Sequence, residues 1–338
     1  MAWGAKKEGK PGEIRADDKY IKWFSELGKQ DVKIAGGKGA NLGEMTGINM
    51  PVPPGFVIIA EAYLYFLEKT SLGEKIYSML NSLNVENTKE LEETAMKVRE
   101  MIENAEMPDD LRKEIMESYH TLSIGKMDLE KASKNVLRIL QTSDPVFVAV
   151  RSSATAEDTE KASFAGQQET FLNVKGNENL IENVKKCWAS LFTARSVYYR
   201  VQKGFRHEDV LIAVIIQKMV NSDKSGVIFS KDPVSQDENI IIEAVFGLGE
   251  GIVSGRIKPD HYIVSRDLKI LEKGLADKKT AIVRSSSGKE EVVRLTDEKS
   301  RQQVMSDYEI KRLADYAIKL EEHYKTPQDI EKIFYAGN

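Results

Sequence analysis

Apolar residues recur at two different spacings along this chain, and the change from one to the other divides it. Over residues 61–140 they follow helical intervals: Leu111, Ile115 and Tyr119 share one helix face, and Pro108-Asp109-Asp110 before them is a start signal. These helices carry no convergent polar set, so packing and covering is the role they predict. Residues 177–204 repeat the pattern and predict one long amphipathic helix, with Trp188, Phe192, Tyr198 and Tyr199 in its stripe and Lys203-Gly204 at its end. Aromatics at that spacing read as core rather than as a stacking platform. From about residue 210 the texture becomes short β segments at 210–219, 226–230, 239–246 and 261–265, with weaker ones near Ile270, Ile282 and Val292. The turn residues Asn221-Ser222-Asp223 and Asp232-Pro233 between them predict an antiparallel sheet. A final helix over 306–325 opens on Ser-Asp-Tyr-Glu, the form of a capping box, and presents Ile310, Leu313, Ala317 and Leu320 on one face. Pro327 ends it, and residues 328–335 alternate polar and apolar as a strand does.

The N-terminal third has fewer periodic cues. Residues 20–24 read as a strand or short helix, residues 34–45 as a glycine-rich turn running into a helix, and residues 52–59 as a proline-set turn before a buried strand. Residues 145–150 are a further strand. The expected organisation is α+β: a flexible tail over 1–18, a first lobe over 19–205 with a helical insertion at about 61–140, and a second lobe over 206–338. The boundary between lobes is placed near 203–209.

Composition narrows the classes. The chain has 338 residues, 41% hydrophobic and 30% charged, which suits two or three compact soluble units. Lys plus Arg number 49 against 53 Asp plus Glu, a net charge of −4, which argues against a general nucleic-acid binder. No apolar run is long enough to cross a bilayer and no leader is evident, so a cytoplasmic protein is expected. The single cysteine, Cys187, lies among Leu180, Val184 and Leu191 and reads as a small buried hydrophobe.

Four places carry candidate chemistry. Lys38 stands among Gly36, Gly37, Gly39 and Gly43, where backbone N–H groups, a helix start and a point charge would suit an anion, although the spacing is not that of a Walker A motif. Arg151 opens a second stretch, 150–174; its fork fits two phosphate oxygens, Ser152, Ser153 and Thr155 offer hydroxyls, and Gly166 and Thr170 sit where the loop re-enters a strand. An ion pair from Arg151 to Glu157 or Asp158 is the competing reading, and chemistry alone does not choose. Asp329 and Glu331, on one face of the last strand, suit Mg²⁺ that keeps waters and phosphate oxygens, although spacing alone favours a solvated edge strand. Gln217 to Val220 ends an apolar strand at the presumed hinge, where an adenine ring would find a strand-edge peptide; Glu243 and Glu250 flank the Gly247-Leu248-Gly249 turn and are candidates for ribose or metal.

Taken together, GGKGANLGEM at 36–45, VRSSATAED at 150–158, FAGQQETFLNV at 164–174 and QDIE at 328–331 resemble the N-terminal ATP-grasp domain of the phosphoenolpyruvate synthase family, a domain shared with pyruvate phosphate dikinase and rifampicin phosphotransferase. The match is collinear from about Lys19. The resemblance implies an ATP-grasp fold of two lobes with a nucleotide cleft between them, and ATP and Mg²⁺ as cofactors. It implies that Lys38 and Arg151 hold ATP phosphates and act in catalysis, that Gly166 and Thr170 contact the nucleotide, that Gln217 and Met219 face adenine, that Glu243 and Glu331 also touch ATP, and that Asp329 and Glu331 serve the metal. It further implies two partners outside this sequence, a swivelling phosphohistidine domain and a pyruvate-binding barrel. The family's next strand carries a Gln-x-Arg segment that this chain lacks, so truncation before the last strand is expected, and His120, His207, His261 and His323 lie in no segment resembling the phosphohistidine. A rifampicin phosphotransferase-like dikinase and a stand-alone nucleotide-binding module remain the rival readings.

Overall fold

The computed structural model describes residues 19–124, 145–155, 169–235, 237–285 and 288–334, with the backbone alone over 331–334. Residues 1–18, 125–140 of the expected helical stretch, and Gly166 lie outside the described residues. The chain divides into two compact units, Met1–Met219 and Val220–Asn338.

In the first unit, β1 (Ile21–Trp23) leads through 3-10 turns to α1 (Val32–Gly47) and β2 (Gly55–Ile58); the next helices among the described residues are α2 (Ala60–Lys69), α3 (Leu72–Asn81), α4 (Thr88–Asn104) and α5 (Asp109–Ile124). Then come β3 (Val148–Ala154), β4 (Thr170–Val174), α6 (Asn177–Ala189), α7 (Ala194–Gln202) and β5 (Ile212–Lys218). The strands form one antiparallel sheet in the order β1-β2-β5-β3-β4. Side chains alternate across it, so Phe56, Ile58, Val150, Val214 and Ile216 join Tyr63, Phe66, Leu111, Ile115 and Trp188 in a large core beneath the helices. Val57, Ile59, Ala213 and Ile215 project to the other face, where Ala35 of α1, Phe24 and Leu27 cover them. Each such aliphatic side chain contributes about 2 kcal/mol by leaving water.

Strand β5 is the reason the division falls after Met219 rather than at 203–209. Its seven residues run between β2 and β3 in the middle of the first sheet, so the expected second-lobe strand belongs to the first unit. The predicted helix over 177–204 is also broken. Ser190–Phe192 form a 3-10 turn, and Thr193, extended, caps α7 by accepting from the Ser196 N–H. Trp188 and Phe192 are core as expected, whereas Tyr198 is exposed. Cys187 is buried, and burial pushes its thiol pKa up, which suits the packing role.

The second unit holds β6 (Lys224–Phe229), β7 (Ile240–Phe246), α8 (Glu250–Val253), β8 (Asp260–Val264), β9 (Ile270–Gly274), β10 (Thr280–Arg284), β11 (Glu290–Arg294), α9 (Asp297–Arg301), α10 (Asp307–Tyr324) and β12 (Asp329–Phe334). Its main sheet has the order β12-β6-β7-β8-β9, every neighbour antiparallel, and β10 and β11 pair as a separate hairpin. The expected strands are all present. Helix α10 lays Ile310, Leu313 and Ala317 against Ile228, Ile242, Tyr262 and Val264 on one sheet face. Gly247 ends β7 at φ 82°, and a Cβ there would stand 2.1 Å from the Ile282 carbonyl oxygen, so only glycine lets β7 touch the β10 hairpin. Beneath that hairpin a buried ion pair joins Lys278 and Asp260, and Asp260 also accepts from the N–H groups of Ala276 and Val304 and from the Tyr262 hydroxyl. Those added hydrogen bonds are what make a fully buried pair tolerable.

Candidate functional site

Lys38 is held by the way α1 meets β3. The helix is interrupted at Gly36, whose backbone sits at φ 68° and ψ 169°, so its second segment begins at the glycine-lysine turn. A Cβ at Gly36 would lie 2.2 Å from the Ser153 hydroxyl oxygen, and the Gly39 N–H donates to that same oxygen at 3.2 Å. The glycines read as an anion loop thus also serve close approach of helix to strand. Lys38 lies between the two contacts, at the start of a helical segment where N–H groups collect positive potential.

Arg151 is two residues before Ser153 on β3, on the same sheet face and about 7 Å along the strand. Its neighbours across the ladder are Ile215 of β5 and Thr170 of β4. Thr170 is exposed beside it; an extra residue in β4, with Asn173 at φ 57°, forms a bulge that sets this register. One row further along, Gln217 stands between Gly55 and Ala149, two residues without bulk. Its side-chain amide donates to the Pro53 carbonyl at 3.2 Å. Met219 follows: its N–H donates to the Phe147 carbonyl, and its Sδ accepts from the Asn173 N–H at 2.9 Å. Arg151, Thr170 and Gln217 therefore share the sheet face on which α1 is seated, with Met219 at the strand's end. Gly166 lies outside the described residues, as do Glu157 and Asp158, the alternative partners of Arg151.

Two hydroxyls read as anion donors are engaged in the fold instead. Ser152 donates to the Glu169 carbonyl and Thr155 to the Leu211 carbonyl. The role of Ser153 in seating the lysine turn was not legible in the sequence, because its partner is 114 residues away.

The acidic candidates lie in the second unit. Asp329 and Glu331 occupy same-face positions on β12, opposite Phe229 and Val227 of β6. Val227 is in turn opposite Glu243 of β7, and Glu243 opposite His261 of β8, so one row across the sheet reads Glu331, Val227, Glu243, His261. His261 Nδ1 lies 3.8 Å from the Glu243 carboxylate. This face is the one not covered by α10. Among the described residues no group of three or more His, Cys, Asp or Glu side chains gathers as a metal cage, and no helix is long and apolar enough to cross a membrane. Two carboxylates with oxygen-only donors suit a hard divalent cation that takes its remaining ligands from phosphate and water.

The glycine-lysine turn, Arg151 and the β12 positions Asp329 and Glu331 all lie within the span of one family match. Residues 32–336 match the AMP/ATP-binding domain of pyruvate phosphate dikinase, and the chain belongs to that family. Among individual proteins it is similar to a probable phosphoenolpyruvate synthase of Archaeoglobus fulgidus, 50% identical over 318 residues, and to another of Methanocaldococcus jannaschii, 46% identical over 321. The phosphoenolpyruvate synthase of Pyrococcus furiosus is 42% identical over 353 residues. These matches take in 93–94% of this chain but only 40%, 26% and 41% of the respective relatives. The chain thus spans between a quarter and under half of the length of the curated relatives it matches.

Proposed function

We propose that this chain is the ATP-binding portion of a phosphoenolpyruvate synthase, folded as an ATP-grasp domain. The carrying observation is the single face of the first sheet that bears Arg151, Thr170 and Gln217, with the Lys38 turn seated on the same strand as Arg151. An adenine ring suits the row of small residues around Gln217 and the strand end at Met219, and the triphosphate suits Lys38 and Arg151. Gly166, Glu243 and Glu331 are further nucleotide contacts in this reading. Asp329 and Glu331 are the residues to hold Mg²⁺, which supplies charge neutralisation at the phosphate oxygens when bound.

In the reaction proposed for the whole protein, a histidine nitrogen of the swivelling domain attacks the β-phosphorus of ATP. The bond from that phosphorus to the α–β bridging oxygen breaks, and AMP leaves with the electron pair. Water then releases phosphate from the pyrophosphorylated histidine, and the remaining phosphoryl group passes to the enol oxygen of pyruvate on the barrel domain. Lys38 and Arg151 orient the chain of phosphates and stabilise the charge that develops on the transferred group. Nothing in this chain's own histidines is required as the carrier.

The test is isothermal titration of the chain with ATP and Mg²⁺, for the parent and for Arg151→Ala. Loss of a charge-assisted fork predicts roughly 10–100-fold weaker binding with the melting temperature held. Equal affinity in the two proteins would remove Arg151 from the site, and no binding by the parent would overturn the ATP reading itself.

A further inference from the structure

We infer that Ser153 is a positioning residue, the one that sets the Lys38 turn against Arg151. This rests on the ATP-binding reading above and adds to it a residue that itself touches no nucleotide. Three observations converge. Ser153 is fully buried in β3, and its Oγ accepts the Gly39 N–H at 3.2 Å. Gly36 approaches the same hydroxyl so closely that a Cβ would stand 2.2 Å from it, and its φ of 68° breaks α1 at that point. Lys38 is bracketed by these two contacts, while Arg151 is fixed on the same strand and face by its ladder to β5 and β4.

The hydroxyl thus ties a loop cation to a strand cation across 114 residues of sequence. Two groups that grip one polyanion must be held at a fixed spacing, and that calls for an anchor independent of the ligand. A buried acceptor on the strand itself provides one, because the Gly39 N–H has no water to turn to if the contact opens. A displacement of about 1 Å at a phosphate-gripping group is enough to cost a large part of its effect.

Ser153→Ala removes the acceptor and leaves the side-chain volume nearly unchanged. ATP binding by the otherwise complete chain is expected to weaken about tenfold. The same substitution placed in a Lys38→Met background is expected to change binding by less than about twofold, because a residue that acts through Lys38 has nothing left to position. An effect of the same size in both backgrounds would overturn the inference, as would parent-like binding by Ser153→Ala. A parent chain that fails to bind ATP sinks the ATP reading and the inference together, a result distinct from either. Hydrogen exchange guards against a variant that misfolds: in the parent, a peptide spanning 34–43 should be protected at Gly39 as strongly as β3 is. Rapid exchange there, with β3 protected, would show that the anchor is not made and would also overturn the inference.

Discussion

Arg200 and His207 show how much a single pair of side chains can decide without entering the proposed site. Arg200 is 1% exposed, donates from Nη1 to the Leu191 carbonyl and from Nε to His207 Nδ1 at 3.2 Å, and lies over the Phe192 ring. Burial lowers its pKa to about 10, and burial together with the adjacent guanidinium lowers that of His207 to about 4. The imidazole is therefore held neutral in the fold, whereas in the unfolded chain it titrates near 6.5. Between pH 4 and 6.5 the unfolded chain binds the extra proton, so the contribution is complete above pH 6.5 and is lost as pH falls toward 4. The loss is expected on the order of 2–3 kcal/mol. Urea unfolding at pH 7 and pH 4 measures it, and His207→Asn, whose Oδ1 replaces the Nδ1 acceptor, should flatten that part of the pH dependence. The same residue scale sets what sequence could say of the site. Lys38 and Arg151 stand out as candidates because a glycine-flanked lysine and an arginine next to a hydroxyl-rich stretch suit an anion, although an ion pair suits that arginine too. Ser152, Ser153 and Thr155 do not, since a hydroxyl's partner is chosen by strand register, and each was found engaged with a residue 17, 114 or 56 positions away.

At the scale of elements, α10 was legible down to its first turn. Ser306 accepts from the Glu309 N–H, and Glu309 reaches back to the Ser306 N–H, which is the reciprocal cap its sequence predicts. Glu309 has a second duty, an ion pair to Lys224 of β6 at 2.9 Å that fastens the helix start to the sheet. Hydrogen bonds from Lys224 and Ser306 outweigh burial and hold its carboxyl below the usual range. Ser306→Ala is expected to cost about 1 kcal/mol, read as a lower denaturation midpoint with unchanged slope. Glu309→Gln keeps the reciprocal cap but breaks the ion pair, so a cost equal to that of Ser306→Ala would show that the pair to Lys224 matters as much as the cap. The helix read over 177–204 was misjudged for a physical reason: its apolar stripe continues through Leu191 and Phe192, which stay buried, so periodicity passes over the break. The signal that was present is Thr193 with a serine three residues on, a cap in the middle of an apolar run.

At the scale of the whole molecule, the apolar run within residues 210–219 identified a strand but not its sheet. Strand pairing is a long-range choice: β5 follows two helices and then enters between β2 and β3, so neither spacing nor turn residues reveal its neighbours. That placement makes a sharp prediction about where the chain can be divided. The buried clusters of the first unit end at Ile216 and those of the second begin at Ile228, so a cut after Met219 leaves each core with its own residues. A cut after Arg206, at the boundary that residue texture alone suggests, removes the central strand of the first sheet and leaves Phe56, Val57, Val148 and Val150 without Ile212 to Ile216 to pack on. Expressed separately, 1–219 is expected to unfold cooperatively on heating and 1–206 to show no such transition. The complementary pieces should differ less, since 220–338 keeps the same five strands β12-β6-β7-β8-β9 and 207–338 merely adds an apolar strand whose partners are missing. That surplus strand is an unpaired hydrophobic edge, and light scattering should find 207–338 more prone to associate than 220–338. Equal melting behaviour of 1–219 and 1–206 would show that β5 is dispensable to the first sheet, contrary to the pairing it makes on both sides.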